Sequence, residues 1–216
     1  MSTTKYTGNA APPAGITGNP SSLAIGITGG IGSGKTTVAN LIERLGHPVY
    51  YSDAAAARLV NTDDDIKNAL ARCFGEDIYD PDGHLRRSRL AAIIFNHPAA
   101  LAAANAIIHP AVAADFRAWR DSHREPLLFL ESALLADNIL AADLDAIILV
   151  LADLETRVQR VMQRDNITRV QVLERARNQP LAGAIHADFT IRNNPGDMLL
   201  EPLLAILDTL QNRWPC

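Results

Sequence analysis

The run Gly29-Gly30-Ile31-Gly32-Ser33-Gly34-Lys35-Thr36 constrains this chain more than any other feature. It matches G-x-x-x-x-G-K-[ST] in full. It follows the apolar run Leu23-Ala24-Ile25-Gly26-Ile27-Thr28, which reads as a buried strand. It precedes a helical pattern with Val38, Leu41, Ile42 and Leu45 on one face and Gly46 as its stop. A Gly-rich turn at a strand-to-helix junction suits phosphate. Its glycines tolerate positive φ and have no Cβ to collide, so successive N–H groups can turn inward around the anion. The helix N-terminus adds partial positive charge. Lys35 can reach the β- and γ-phosphates of a nucleotide, and the Thr36 hydroxyl can ligate Mg2+. Gly30, Ile31, Gly32, Ser33, Gly34, Lys35, Thr36 and Thr37 are therefore the expected ATP-binding residues.

The rest of the pattern alternates strands and helices. Val49-Tyr50-Tyr51 reads as a second strand ending at Asp53, and Leu127–Leu130 as a third ending at Glu131. Ala146–Leu151 reads as a fourth and Phe189–Ile191 as a fifth. From Ala54 to about Ser122 the chain is Ala-rich and largely helical, punctuated by Gly75, Gly83, Pro98 and Pro110. Helices are expected at about Leu154–Arg164 and Arg169–Asn178, with a capping-box spacing at Thr168 and Gln171. A last amphipathic helix carries Leu199, Leu203, Ile206, Leu207 and Leu210. Continuous apolar strands alternating with helices predict an α/β fold of the P-loop NTPase type, a parallel five-stranded sheet flanked by helices. In such sheets ligands gather at the carboxyl ends of the strands, a rule that picks out the Gly-rich turn, Asp53 and Glu131 together.

A chain of 216 residues suits one domain with an inserted region. Residues 1–22, rich in Gly, Pro, Ser and Thr, read as a flexible tail, and 23–216 as a single kinase-type domain. Its core is expected over 23–53, 125–153 and 180–216, its helical substrate region over about 54–124 and its lid over about 154–179. The formal net charge of −4 argues against a nucleic-acid binder. No apolar run is expected to approach the roughly 20 residues that span a bilayer. With no secretory h-region and two cysteines, Cys73 and Cys216, read as free thiols, a cytoplasmic protein with no membrane partner and no obligate protein partner is expected.

The Gly-rich turn does not by itself choose among kinase, GTPase and ATPase. A guanine-reading Asn-Lys-x-Asp and a Leu-Ser-Gly-Gly-Gln signature are both absent. A small-molecule kinase needs an acid near the acceptor hydroxyl, a substrate region and arginines for the transferring group. Asp53 can take the acceptor's proton or hold the Mg2+ shell, or simply cap a helix beginning at Ala54. Glu131 can orient substrate. Arg157, Arg160 and Arg164 recur at i, i+3 and i+7 on one face, where lid arginines would neutralise equatorial charge; Arg164 is the favoured catalytic one. Asp53, Lys35 and Arg164 form the expected catalytic set.

These residues resemble the dephospho-CoA kinase family across nearly all of the chain after residue 22. Ile27 to Ala39 is similar to its form of the P-loop, and Asp53 falls where the family has its proposed catalytic aspartate. Gly83-His84-Leu85-Arg86-Arg87-Ser88-Arg89-Leu90 resembles its G-x-L-x-R-x-x-L segment, and Asn105 to Pro110 its His-Pro segment. Glu155 to Arg164 with Gln179 looks like its lid, and Ala187-Asp188 with Asn193 and Gly196 its C-terminal element near the adenine. The resemblance implies substrate contacts at Asp53, Arg87, His109, Glu131 and Arg160, ATP contacts at Arg164 and Asn193, and metal contacts at Thr36 and Asp53. It implies ATP and dephospho-CoA as substrates with Mg2+. The departures are Tyr51 for a second acid, Ala57 for a basic residue, Ala133 for a proline, Asp137 for a glutamate and Arg157 for a glutamine. Another P-loop kinase, or a non-catalytic ATP-binding module, are the alternatives these departures leave.

Overall fold

The computed structural model describes residues 22–94, 97–133, 135, 139–177 and 186–213. Residues 1–21 and the sequence features at Leu134, Ala136, Asp137, Asn178, Gln179 and Cys216 lie outside the described residues. Five strands, β1 (Leu23–Thr28), β2 (Val49–Tyr51), β3 (Leu127–Glu131), β4 (Ala146–Leu151) and β5 (Phe189–Arg192), form one sheet in the order β2-β3-β1-β4-β5. Every pairing is parallel. β1 is central and buried along its whole length, which is why it reads as an unbroken apolar run rather than an alternating one.

Alternation along the central strands sends side chains to two different cores. Leu23, Ile25 and Ile27 of β1 join Phe129 of β3 and Ile148 of β4 on one face. There they meet Val38 and Ile42 of α1 (Lys35–Arg44), and Leu203 and Leu207 of α8 (Leu200–Arg213). Ala24 and Leu130 point to the other face. They meet Leu59 of α2 (Ser52–Thr62), Leu70 of α3 (Asp64–Phe74) and Phe116 of α5 (Pro98–Ser122). Gly26 keeps that second face open to close packing: a Cβ there would lie 2.6 Å from Leu135 Cδ1 and 2.7 Å from Leu144 Cδ1. α1 ends as its sequence indicates, with Leu45 as cap and Gly46 following at φ 91°.

Four sequence expectations need correction. β2 stops at Tyr51, and α2 begins at Ser52 with Tyr51 as its N-cap, so Asp53 neither closes the strand nor caps the helix. Pro110 does not interrupt α5; it sits inside the helix with His109 beside it, and Pro98 starts the helix at its first turn. Helix α5 is also, by length and composition, apolar enough to cross a bilayer. Its apolarity comes largely from alanines, and its residues Val112, Ala113 and Phe116 pack in the second core. Last, Ser22 belongs with the core and not with the expected tail: it is 5% exposed, and its carbonyl accepts from Arg120 Nη2 at 3.1 Å. Arg120 is 6% exposed and also donates to Asp143 O (3.0 Å) and to Asp145 Oδ2 (3.4 Å), so this arginine ties the last turns of α5 to the start of β1 and β4.

Two helices follow β4. α6 (Leu154–Asp165) and α7 (Arg169–Arg177) pack through Val158, Val161 and Val172 with Ile167 and Leu173, and Ile31 of the Gly-rich turn joins them. The Thr168–Gln171 capping box forms as its spacing predicts: Thr168 N donates to Gln171 Oε1 at 2.9 Å, and Gln171 N to Thr168 Oγ1 at 3.4 Å.

Candidate active site

Parallel pairing aligns the carboxyl ends of β1, β3 and β2, so the Gly-rich turn, Glu131 and the β2–α2 junction meet at one edge. They form a cleft of about 400 Å³, lined by Lys35, Thr36, Tyr51, Asp53, Glu131 and Arg164 with Ile31, Gly32, Ala54 and Ala133. The turn is shaped by its glycines: Gly32 and Gly34 have φ of 77° and 95°, a region that side chains with a Cβ rarely adopt. α1 starts at Lys35, with Gly34 as its N-cap, so the first free N–H groups of the helix face the turn.

Lys35 Nζ donates to Gly29 O at 2.9 Å and, more weakly, to Gly30 O at 3.5 Å. Burial pushes the Lys35 ammonium below the usual lysine range; the carboxylates of Glu131 and Asp53 pull it back up, while Arg164 and Arg157 push it further down. Glu131 is 7% exposed, far from the solvated strand-end acid that position suggests. Burial raises its carboxyl above the ordinary value; Lys35 opposes that shift and Asp53 adds to it. Asp53 sits in the first turn of α2, on the wall of the cleft. The hydroxyl of Tyr51, in place of a second acid, shares its one proton between Glu43 Oε2 (2.8 Å) and Asn40 Oδ1 (3.0 Å) on α1.

The chemistry of these donors fits Mg2+. The Thr36 hydroxyl and the Asp53 and Glu131 carboxylates are hard oxygen ligands facing one cleft. Among the described residues no group of three or more His, Cys, Asp or Glu side chains could hold a metal, so an ion here draws its remaining ligands from phosphate and water.

The arginines divide. Arg164 lines the cleft and is held there by Asp165 through bonds of 2.7 and 3.1 Å; Asp165 also accepts from Arg175 at 3.0 Å. Arg160 lies against the turn, its Nη1 3.5 Å from Gly32 O and its Nη2 3.5 Å from Asn193 Oδ1. Asn193 itself, 8% exposed just beyond β5, donates to Ser33 O at 2.8 Å and braces the turn from behind. Arg87, at the start of α4 (Arg87–Ile94), and His109, half-buried within α5, do not line this cleft. Burial lowers the His109 imidazole below its ordinary value. Arg157, read from the sequence only as one of three lid-face arginines, is seated closely on the turn itself. A Cβ on Gly30 would lie 2.6 Å from Arg157 Nη1, and one on Gly32 2.6 Å from Arg157 O.

The model of the dephospho-CoA kinase family matches residues 23–197, which contain the whole of this cleft. This chain belongs to the dephospho-CoA kinase family. It is 39% identical over 197 residues to a dephospho-CoA kinase of Porphyromonas gingivalis, covering 89% of this chain and 96% of that protein. A dephospho-CoA kinase of Thermus thermophilus is 41% identical over 158 residues, 73% of this chain and 75% of that protein. A crystal structure from Thermus thermophilus superimposes with a TM-score of 0.75 at 36% identity, covering 90% of this chain and 99% of that one. The dephospho-CoA kinase of Campylobacter jejuni shares the fold at 20% identity, with a TM-score of 0.65. In this dephospho-CoA kinase family member, the segment that carried part of the resemblance, Gly83 to Leu90, runs from a turn into the start of α4. Tyr79 bridges to Leu85 in antiparallel fashion, Arg86 N donates to Ile78 O at 2.7 Å, and Leu85 N donates to Asn61 Oδ1 of α2 at 2.7 Å.

Proposed function

We propose that this chain transfers the γ-phosphate of ATP to the ribose 3′-hydroxyl of dephospho-CoA, forming ADP and coenzyme A. The observation that carries the reading is the meeting of Lys35, Thr36, Asp53, Glu131 and Arg164 in one cleft, in a chain of this family. The turn from Gly30 to Thr37 holds the ATP phosphates on its N–H groups and on Lys35, with Arg160 and Asn193 keeping its shape. The helical region over about 54–124, with Arg87 and His109, takes the rest of dephospho-CoA, and the region over about 154–179 forms the lid.

In the transfer, Asp53 accepts the proton of the 3′-hydroxyl as its oxygen bonds to the γ-phosphorus. The bond from that phosphorus to the β–γ bridging oxygen breaks, and the electron pair leaves with ADP. Lys35 and Arg164 neutralise charge on the oxygens of the transferring group. Thr36 and Asp53 would hold Mg2+, which when bound neutralises charge on the phosphates. Glu131, buried beside Lys35, holds that lysine charged and oriented toward the turn.

The test is Asp53→Asn. A lost general base lowers kcat by about 10²–10⁴-fold, while ATP affinity, measured by calorimetry, stays near that of the parent because the turn is untouched. Near-full turnover by the variant would remove Asp53 from the role of base.

A further inference from the structure

We propose that Arg157 is a further phosphate-binding residue of the turn, placed beside Lys35 on the polyphosphate of ATP. The inference rests on the reading of the turn as the ATP site. Arg157 stands in the first turn of α6, and its Nε donates to Ala152 O at 3.1 Å. That bond fixes the plane of the guanidinium and leaves Nη1 against Gly30. Lys35 Nζ also reaches this glycine, 3.5 Å from Gly30 O. Two cations therefore converge on one residue of the phosphate turn.

Three arginines of the region have carboxylate partners, while Arg160 lies on Gly32 O and Asn193 Oδ1 instead. Arg164 and Arg175 share Asp165, and Arg169 holds Glu155 at 2.8 Å. Among the described residues, none of the ion pairs includes Arg157. A partly buried guanidinium near a partly buried ammonium, with no carboxylate of its own, is an unfavourable arrangement until an anion arrives. A polyphosphate on the turn supplies that anion, and a guanidinium suits it because its parallel N–H groups match phosphate oxygens. The backbone is adapted to the approach: any side chain at Gly30 would strike the guanidinium, and any at Gly32 would strike the Arg157 backbone. The family resemblance puts a glutamine at this position, so Arg157 is one of this chain's departures from it.

The test compares Arg157→Gln, Arg157→Lys and Lys35→Ala in the full chain, using ATP and inorganic tripolyphosphate in calorimetry and melting without ligand. The proposal expects Arg157→Gln to weaken both ligands at least tenfold and to leave the unliganded melting temperature level or higher. Arg157→Lys should recover part of the affinity, because it keeps the charge. Unchanged affinity in Arg157→Gln overturns the proposal. So does a loss accompanied by a fall of several degrees in unliganded melting that Arg157→Lys shares, which marks Arg157 as a strut through Ala152. Lys35→Ala separates the two levels: if it too binds both ligands as the parent does, the ATP reading of the turn has failed, and not Arg157 alone.

Discussion

Gly34→Ala tests how the turn is held in shape. The position has φ 95°, and a Cβ there would collide with Nδ2 of Asn193, the atom that donates to Ser33 O. Two costs follow. An alanine in left-handed backbone is strained by about 1–2 kcal/mol. Displacing Asn193 leaves the Ser33 carbonyl without its donor, a loss of about 1–3 kcal/mol for a buried group. Together the variant should lose about 2–5 kcal/mol, a large part of the roughly 5–15 kcal/mol that holds a domain folded. Asn193→Ala alone should lose about 1–3 kcal/mol, the hydrogen bond only. The informative species is the double variant. Since Gly34→Ala has already broken the Asn193 bond, adding Asn193→Ala should cost at most about 0.5 kcal/mol more, well short of additivity. Urea unfolding of all four proteins without nucleotide reads this directly. Additive losses would show that Asn193 and Gly34 do not share the contact, and the account of the turn as braced from behind by β5 would be wrong.

Other expectations concern charge. Glu131→Gln should stabilise the unliganded protein while lowering kcat, because the native state buries an ionised carboxylate beside the turn. The sign follows from its raised pKa. Below the ordinary value of 4.5 both side chains are neutral and the parent and variant melt alike; as pH rises through the native-state value the parent falls behind. Melting curves across pH check it, and a parent that gains on the variant with rising pH would contradict it. Lys35→Ala should damage both ATP affinity and kcat, measured by calorimetry and steady-state turnover, since the ammonium serves ground state and transition state alike. Arg120→Ala should lower stability by about 1–3 kcal/mol in urea unfolding, leaving the carbonyls of Ser22 and Asp143 without their donor and Asp145 without its cation.

The sheet was legible because its strands are continuous apolar runs, and the phosphate turn because its chemistry needs glycines at fixed spacing. The capping box at Thr168 was legible for the same reason: it is a local hydrogen-bond pattern. What misled was also local. Pro110 reads as a stop, yet α5 passes through it, since packing on α2 and α3 outweighs one missing backbone bond. Asp53 reads as a strand end, and two residues of difference in the β2–α2 junction move it into a helix. Contacts distant in sequence were not legible at all. Arg120 meets Ser22 across 98 residues and Asn193 meets Ser33 across 160, so their spacing carries no signal. Gly30 and Gly32 read as phosphate glycines, and they are also the glycines that admit α6.

The central claim is the acceptor, and the direct measurement is ADP release from Mg-ATP with dephospho-CoA, with nucleoside monophosphates, and with no acceptor. The account predicts release that depends on dephospho-CoA, with a product whose mass is that of coenzyme A. Release driven by a nucleoside monophosphate, or none from folded protein that binds ATP, would contradict it.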